Sequence, residues 1–294
     1  MNRIARAAVA LFAAALALVA HAQATDAPAL WKVEGAKAPM YLFGSMHLLP
    51  PGVGWRTEAV RQALATTEVV VFETDIDALA DGRRIGALVR QHGLLREGRV
   101  LNDSIPEDTR RAFEAVATEF GLPPSGFASM RPWLAAVTLS MRFMARQGSE
   151  TGLGVDQQMN EWARAQGRIR ASLEPLESQV RMFADLAPEE EAEFLAVTLR
   201  QIRETPQILD ELLAAYRRGD LESLERTVNR GMDEFPGLRK RMLADRHERW
   251  LPQIERMMTE PRTHFIVVGA AHLAGPDSVV AMLRARGVRV ERVE

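Results

Sequence analysis

Short apolar, β-prone blocks lie near both ends of this chain. Pro39-Met40-Tyr41-Leu42-Phe43 leads into Gly44, and Glu68-Val69-Val70-Val71-Phe72 leads into Glu73. Between them Thr57 to Ala65 has helical spacing, with Thr57 as its N-cap. The pattern recurs near the end. His264-Phe265-Ile266-Val267-Val268 leads into Gly269, Asp277 to Arg286 predicts a helix closed by Gly287, and Val288 to Val293 predicts a strand. Both stretches read as strand, Gly-x-x-His-Leu, proline-containing loop, helix, strand. Such a unit is a βαβ crossover, so each predicts two neighbouring parallel strands joined right-handedly. Two such units predict one sheet assembled from both ends of the chain.

The middle, about 104 to 259, is patterned differently. Met130 to Arg146, Val155 to Gln166, Pro188 to Arg203 and Gln207 to Arg218 carry apolar residues at spacings of three and four, as helices with one buried face do. Gly219-Asp220 reads as a helix stop followed by an N-cap. A single β-prone piece, Arg168 to Leu173, interrupts the helices and is followed by Glu174. The fold class expected is α/β (α+β). It is a mostly parallel sheet built from two βαβ units at the chain ends, with a large helical insertion that caps the sheet.

The first residues change the picture of where the chain works. Arg3 and Arg6 precede an uncharged run from Ala7 to Ala20, and Ala20-His21-Ala22 and Ala22-Gln23-Ala24 are small-x-small sites. The run has 14 residues, short of the roughly 20 that cross a bilayer as a helix. A cleavable signal peptide, 1–24, is therefore expected, cut after Ala24 or alternatively Ala22. A single domain, 25–294, would follow in the periplasm or outside the cell, with no stable membrane span after cleavage. Removing both arginines moves the formal charge from −2 to −4. That leaves no basic excess for a nucleic-acid partner. The absence of cysteine excludes thiolate chemistry, Cys-based zinc sites and a lipid anchor at the cleavage point.

Four of the predicted strands deliver a polar group where they end: His47, Glu73, Glu174 and His272. Ligands of open parallel sheets bind beyond the carboxyl ends of the strands. Adjacent strands are about 4.8 Å apart, so these side chains can converge. Gly44 and Gly269 are expected to let the backbone leave each strand through conformations closed to other residues. Two imidazoles with one or two carboxylates suit Zn, Mn, Fe or Co. Other chemistries lack their motifs: there is no Gly-x-Ser-x-Gly, no Gly-rich phosphate loop and no His-Glu-x-x-His. Ser45 could act as a nucleophile, but the second unit carries Ala270 in its place. His92, His247 and His264 read as surface residues.

The motifs together resemble the TraB/GumN family, which includes PrgY-like pheromone-shutdown proteins and the animal Tiki proteases. The resemblance runs from about Trp31 to Val293. It rests on Trp31, Leu42-Phe43-Gly44-Ser45-Met46-His47, Val71-Phe72-Glu73, Pro132-Trp133, Gly154-Val155-Asp156, Leu173-Glu174, Gly219-Asp220 and the stretch from Val268 to Asp277. One departure stands out: the family commonly has Arg-Asn where this chain has Arg246-His247.

The resemblance implies a metal-dependent peptidase acting on a peptide or protein substrate. His47 and His272 would be ligands of a divalent ion (Mn, Co or Zn), and Glu73 a third ligand or the general base. Glu174 would be a carboxylate aimed at the site, and Arg246 a cation for a developing oxyanion. Asp156 reads as a helix cap. The alternatives are a non-catalytic periplasmic peptide- or ligand-binding protein of the pheromone-shutdown type, and a metal-free esterase-type hydrolase with His47 or His272 as base.

Overall fold

The computed structural model describes residues 27–149, 151–204, 207–232 and 235–293. The expected signal peptide lies outside the described residues. Strands β1 (Leu30–Val33) and β2 (Met40–Ser45) are followed by α1 (Glu58–Thr66), β3 (Val69–Phe72), α2 (Ile76–Ala80) and α3 (Gly82–Leu88). Then come α4 (Glu107–Glu119), α5 (Pro132–Arg146), α6 (Val155–Ala165), β4 (Ile169–Ser172), α7 (Leu176–Ala184), α8 (Pro188–Glu204) and α9 (Ile208–Arg217). The chain closes with α10 (Leu221–Met232), α11 (Pro236–Met242), α12 (Ala244–Met258), β5 (His264–Gly269), α13 (Val279–Ala285) and β6 (Val290–Val293). Thr57 caps α1 as expected, accepting from the Val60 N–H.

The six strands form one sheet in the order β4-β3-β5-β2-β1-β6. β4, β3, β5 and β2 are mutually parallel, and β1 is antiparallel to both β2 and β6. One sheet is thus assembled from both ends of the chain. The crossovers differ from expectation, because neither unit places its own two strands side by side. β5 lies between β2 and β3, and β6 lies two strands beyond β2's free side, against β1. The cause is the character of the strands. The apolar run of β5 needs cover on both faces, as only a central strand has. Val290-Glu291-Arg292-Val293 alternates with charges and suits an edge.

The inner strands alternate between two cores. Phe43, Val70, Phe72, Phe265 and Val267 pack against α1, α6 and α9 on one face. Leu42, Val69, Val71, Ile266 and Val268 pack against α12 and α13 on the other. Helices α4, α5 and α8 surround a separate core of Phe113, Phe127, Leu139 and Leu195. The helical stretch therefore divides: α6, α9 and α10 pack on one face, α12 on the other, and α4, α5 and α8 stand to the side. His264, expected at the surface, is 2% exposed because it begins the central strand. Burial lowers its pKa and keeps it neutral. Among the described residues no helix is long and apolar enough to cross a membrane.

Candidate functional site

The two Gly-x-x-His motifs meet because β2 and β5 are direct neighbours. In their register Gly44 faces Val268 and Ser45 faces Gly269. His47 follows β2 directly, while His272 sits in a short turn of 3-10 helix, Ala270–Leu273. β3, on the other side of β5, ends at Glu73, and β4 beyond it ends at Glu174. The pairing of β3 and β4 continues past their ends, with the Glu174 N–H donating to the Glu73 carbonyl at 2.9 Å. All four sequence-predicted groups thus issue from the same edge of the sheet.

Neither motif glycine has a positive φ, so the expected reason for them is corrected. They are needed for space. A Cβ on Gly44 would lie 3.1 Å from the Cα of Ala270. A Cβ on Gly269 would lie 3.2 Å from Glu73 Oε1, 3.4 Å from His47 Nε2 and 3.5 Å from His272 Cδ2. Three candidate functional side chains therefore converge on the volume that Gly269 leaves empty.

His47 is the outer member, with its side chain 64% exposed. Its Nδ1 donates to Asp156 Oδ2 at 2.7 Å, and Asp156 Oδ1 accepts from the Ser45 hydroxyl at 2.9 Å. Asp156 is therefore no cap, since it lies inside the first turn of α6 and spends both oxygens on the first Gly-x-x-His motif. The Asp156 carboxylate raises the His47 pKa to about 9, so the ring is an imidazolium at neutral pH. A pair of this kind stabilises the fold below the ordinary imidazole pKa of 6.5, and that contribution fades as pH rises through about 9. Asp156→Asn should return the His47 midpoint toward 6.5, read by NMR titration of the ring. A midpoint unchanged by the substitution would mean that Asp156 does not control the ring's charge.

Asp156 reaches His47 because Gly154 packs on its backbone. A Cβ on Gly154 would lie 2.0 Å from the His47 carbonyl oxygen, and the Val155 N–H donates to the Met46 carbonyl at 2.9 Å. Gly154→Ala is expected to cost about 1–3 kcal/mol through forced backbone shifts and to lower the His47 pKa by moving Asp156 away. Calorimetry and the same titration read both effects. A variant that melts with the wild type and keeps the raised pKa would refute the tight contact.

The inner part is buried. Glu73 and Arg246 are 4% exposed, His272 5%. Arg246, in the first turn of α12, spends every N–H inside the protein. Nε donates to Glu174 Oε1 at 2.9 Å, one terminal nitrogen to His272 Nε2 at 2.9 Å and the Met242 carbonyl at 3.3 Å, and the other to Glu174 Oε1 at 2.6 Å and to Glu73 Oε2. No donor is left over for an oxyanion in this arrangement. The guanidinium lies 4.5 Å above the Trp250 ring, whose indole N–H donates to Glu174 Oε2 at 3.3 Å. Glu73 Oε1 accepts from the Gly269 N–H at 2.5 Å. Burial opposes ionisation of Glu73, but the Arg246 guanidinium bonded to it outweighs this and holds the carboxyl well below its usual range.

His247, read from the sequence as a solvated residue, is 1% exposed. The charged look of Asp245-Arg246-His247-Glu248-Arg249 hides that Arg246, His247 and Trp250 face inward together. His247 Nδ1 donates to the Asp277 carbonyl at 2.6 Å. Its Nε2 must then accept from His272 Nδ1, 2.8 Å away, because burial lowers the His247 pKa to about 3 and keeps the ring neutral. Burial likewise lowers the His272 pKa against the pull of Glu73. The His272 proton is thus on Nδ1, and its Nε2 lone pair accepts from Arg246.

The site thus joins an arginine–two-glutamate–histidine cluster to the exposed His47, with its two Gly-x-x-His motifs on the adjacent parallel strands β2 and β5. A model of the TraB/PrgY/gumN family matches residues 29–292. The chain belongs to this family. It is also similar to the uncharacterized protein YbaP of Escherichia coli (strain K12) and of Shigella flexneri. Each is 23% identical over 244 residues, covering 83% of this chain and 87% of that protein. No solved structure matches. In this TraB/PrgY/gumN chain, His247 stands where Asn is common in the family's pattern. An Asn side chain ends at the level of the His247 Nδ1 that meets the Asp277 carbonyl, so the contact to His272 Nδ1 belongs to the longer imidazole of this chain.

Sequence reasoning missed Asp156, His247 and Trp250. Asp156 left a signal in the Gly154-Val155-Asp156 motif, where it read as a cap, and Trp250 left its i+4 spacing from Arg246 on one helix. Among the described residues, no group of three His, Asp or Glu side chains stands ready to hold a metal ion. The arrangement shows what competes: the Arg246 guanidinium occupies the His272 Nε2 lone pair and one oxygen of Glu73.

Proposed function

We propose that this chain is a hydrolase of peptide bonds that binds a divalent metal ion (Mn, Co or Zn) through His47, His272 and Glu73. The observation that carries the reading is the meeting of these three side chains at the space left by Gly269. The donor set suits such an ion. Both imidazoles have Nδ1 tied to a fixed partner, Asp156 or His247, which turns Nε2 toward the site, as carboxylate- or carbonyl-oriented metal histidines do. A bound divalent ion would supply a water acidified toward neutrality and a Lewis acid for the scissile carbonyl.

The protein's own groups divide the remaining work. Glu73, ionised and buried, serves in one of two ways: as the third ligand, or, with the metal left to the two histidines, as the base that takes a proton from an attacking water. His47 is open to solvent, so a substrate must approach across it. As an imidazolium it can orient a carbonyl or return a proton to a leaving amine, and as a ligand it must first give up its Nε2 proton. Glu174 is buried and its hydrogen bonds go to Arg246 and Trp250. It holds Arg246 and, through it, Glu73. The basic, apolar and small-residue sequence of the first 24 positions supports export, hence a periplasmic or secreted peptidase.

A peptide-library digest with purified protein tests the reading. Cleavage that is lost with a chelator and restored by metal is expected. Tight peptide binding without any cleavage would instead support the binding protein of the pheromone-shutdown type.

A further inference from the structure

The guanidinium of Arg246 sits where a cation belongs. It lies between two buried carboxylates and on the imine nitrogen of a neutral histidine, with an indole face beneath it. Two of the three groups expected to ligate a metal ion, Glu73 and His272, are bonded to it. A lone pair on His272 Nε2 cannot serve a guanidinium N–H and a metal ion at once. The same holds for the oxygen of Glu73 that Arg246 takes.

We propose that Arg246 and a divalent cation are alternative occupants of one cradle, the guanidinium holding it closed in the metal-free protein and leaving it when the metal enters. The inference rests on the metal-binding reading above. Three features make the exchange feasible. Arg246 carries one positive charge against two carboxylates, so a dication satisfies the cradle's charge better. Glu174 would not be stranded, because Trp250 already donates to its Oε2 and the half-exposed Arg249 lies 4.0 Å from the same oxygen. Arg246 also stands three residues after Leu243, where the backbone breaks between α11 and α12 at φ −118 and ψ −80. Such a break is where a short shift costs fewest helix hydrogen bonds. In this view Arg246 acts as a positioning residue that keeps Glu73 and His272 gathered until a metal ion takes over.

Co(II) titration, followed by visible absorption and by calorimetry, tests this on wild type, Arg246→Met and the double variant Glu174→Gln/Arg246→Met. The double variant removes the cation together with one carboxylate, so a folding failure of Arg246→Met does not end the test. The expected result is Co(II) binding at least tenfold tighter without Arg246. Low millimolar guanidinium chloride should weaken that binding in the variants by refilling the hole and leave wild type unaffected. Wild type that binds Co(II), with variants that bind no tighter and ignore guanidinium, overturns the exchange while leaving the metal reading intact. Failure of all three proteins to bind Co(II), Mn(II) or Zn(II) overturns both.

Discussion

Glu73→Gln should abolish nearly all turnover while leaving the fold in place. The amide is almost isosteric with the carboxylate, and its oxygen can still accept from the Gly269 N–H. What it loses is the negative charge that Arg246 holds ionised. A group that must take a proton from water, or share a metal ion, cannot work without that charge. Loss of general-base action alone is worth about 10²–10⁴ in rate. The expected result is therefore a fall in kcat/KM of at least two orders of magnitude on any peptide the wild type cleaves, mostly in kcat. Single-turnover assays with matched thermal melts are the check. Activity within threefold of wild type would remove Glu73 from the chemistry and leave it as the partner of Arg246.

Arg246→Met should cost more stability than any other single substitution at the site. Methionine approximates the aliphatic stem but withdraws all five N–H donors, leaving Glu73 buried with no cation and Glu174 with only the Trp250 indole N–H and the half-exposed Arg249 4.0 Å away. Breaking a buried ion pair from one side costs about 3–5 kcal/mol, and a chain of this size loses roughly 2–4 °C of Tm for each kcal/mol. The pH dependence has a definite sign. In wild type the folded Glu73 carboxyl is held below its ordinary 4.5. Its stabilising contribution is thus complete above that pH and disappears as acid protonates the folded state. In the variant, burial without the Arg246 cation pushes the Glu73 carboxyl up, and protonation relieves the penalty. The deficit should be largest at neutral pH and shrink toward pH 4. Urea denaturation of both proteins across that range measures it. A deficit below 1 kcal/mol at pH 7, or one that grows in acid, would deny the cluster its structural role.

The two predictions separate what Glu73 and Arg246 do. Glu73→Gln acts on turnover and spares the fold, whereas Arg246→Met acts on the fold first. That difference follows from geometry. Glu73 has an oxygen beside the space at Gly269, which His47 also borders, while Arg246 has every donor engaged beneath it. Substrate contact therefore belongs to the His47 side of the site. The Glu174–Arg246–Trp250 side supports it from within.

Much of this was legible without coordinates, and the reason is local. A run such as Val69-Val70-Val71-Phe72 can satisfy its backbone and bury both faces only as an inner strand, so its ending at Glu73 already placed a carboxylate at a sheet edge. The same argument held for His47 and His272, but not for Glu174, which follows the exposed edge strand Ile169–Ser172. The family motifs pointed to Arg246 for a reason that local pattern does not contain. Strand order was not legible, because an apolar run specifies that a strand is covered on both faces and not which strands flank it. β5 took the position between β2 and β3, and that long-range choice is what brings the two Gly-x-x-His motifs side by side. The partners of the site residues were decided by tertiary structure alone. Asp156 is 109 positions from His47 and is delivered by the contact of Gly154 with the His47 backbone. His247 looked solvated in its charged stretch, and it is buried only because α12 lays that face on the ends of β3, β4 and β5. Propensity and spacing report what a residue's neighbours in sequence permit. The charge on His47, the tautomer of His272 and the occupant of the Glu73 cradle depend on groups brought from far along the chain.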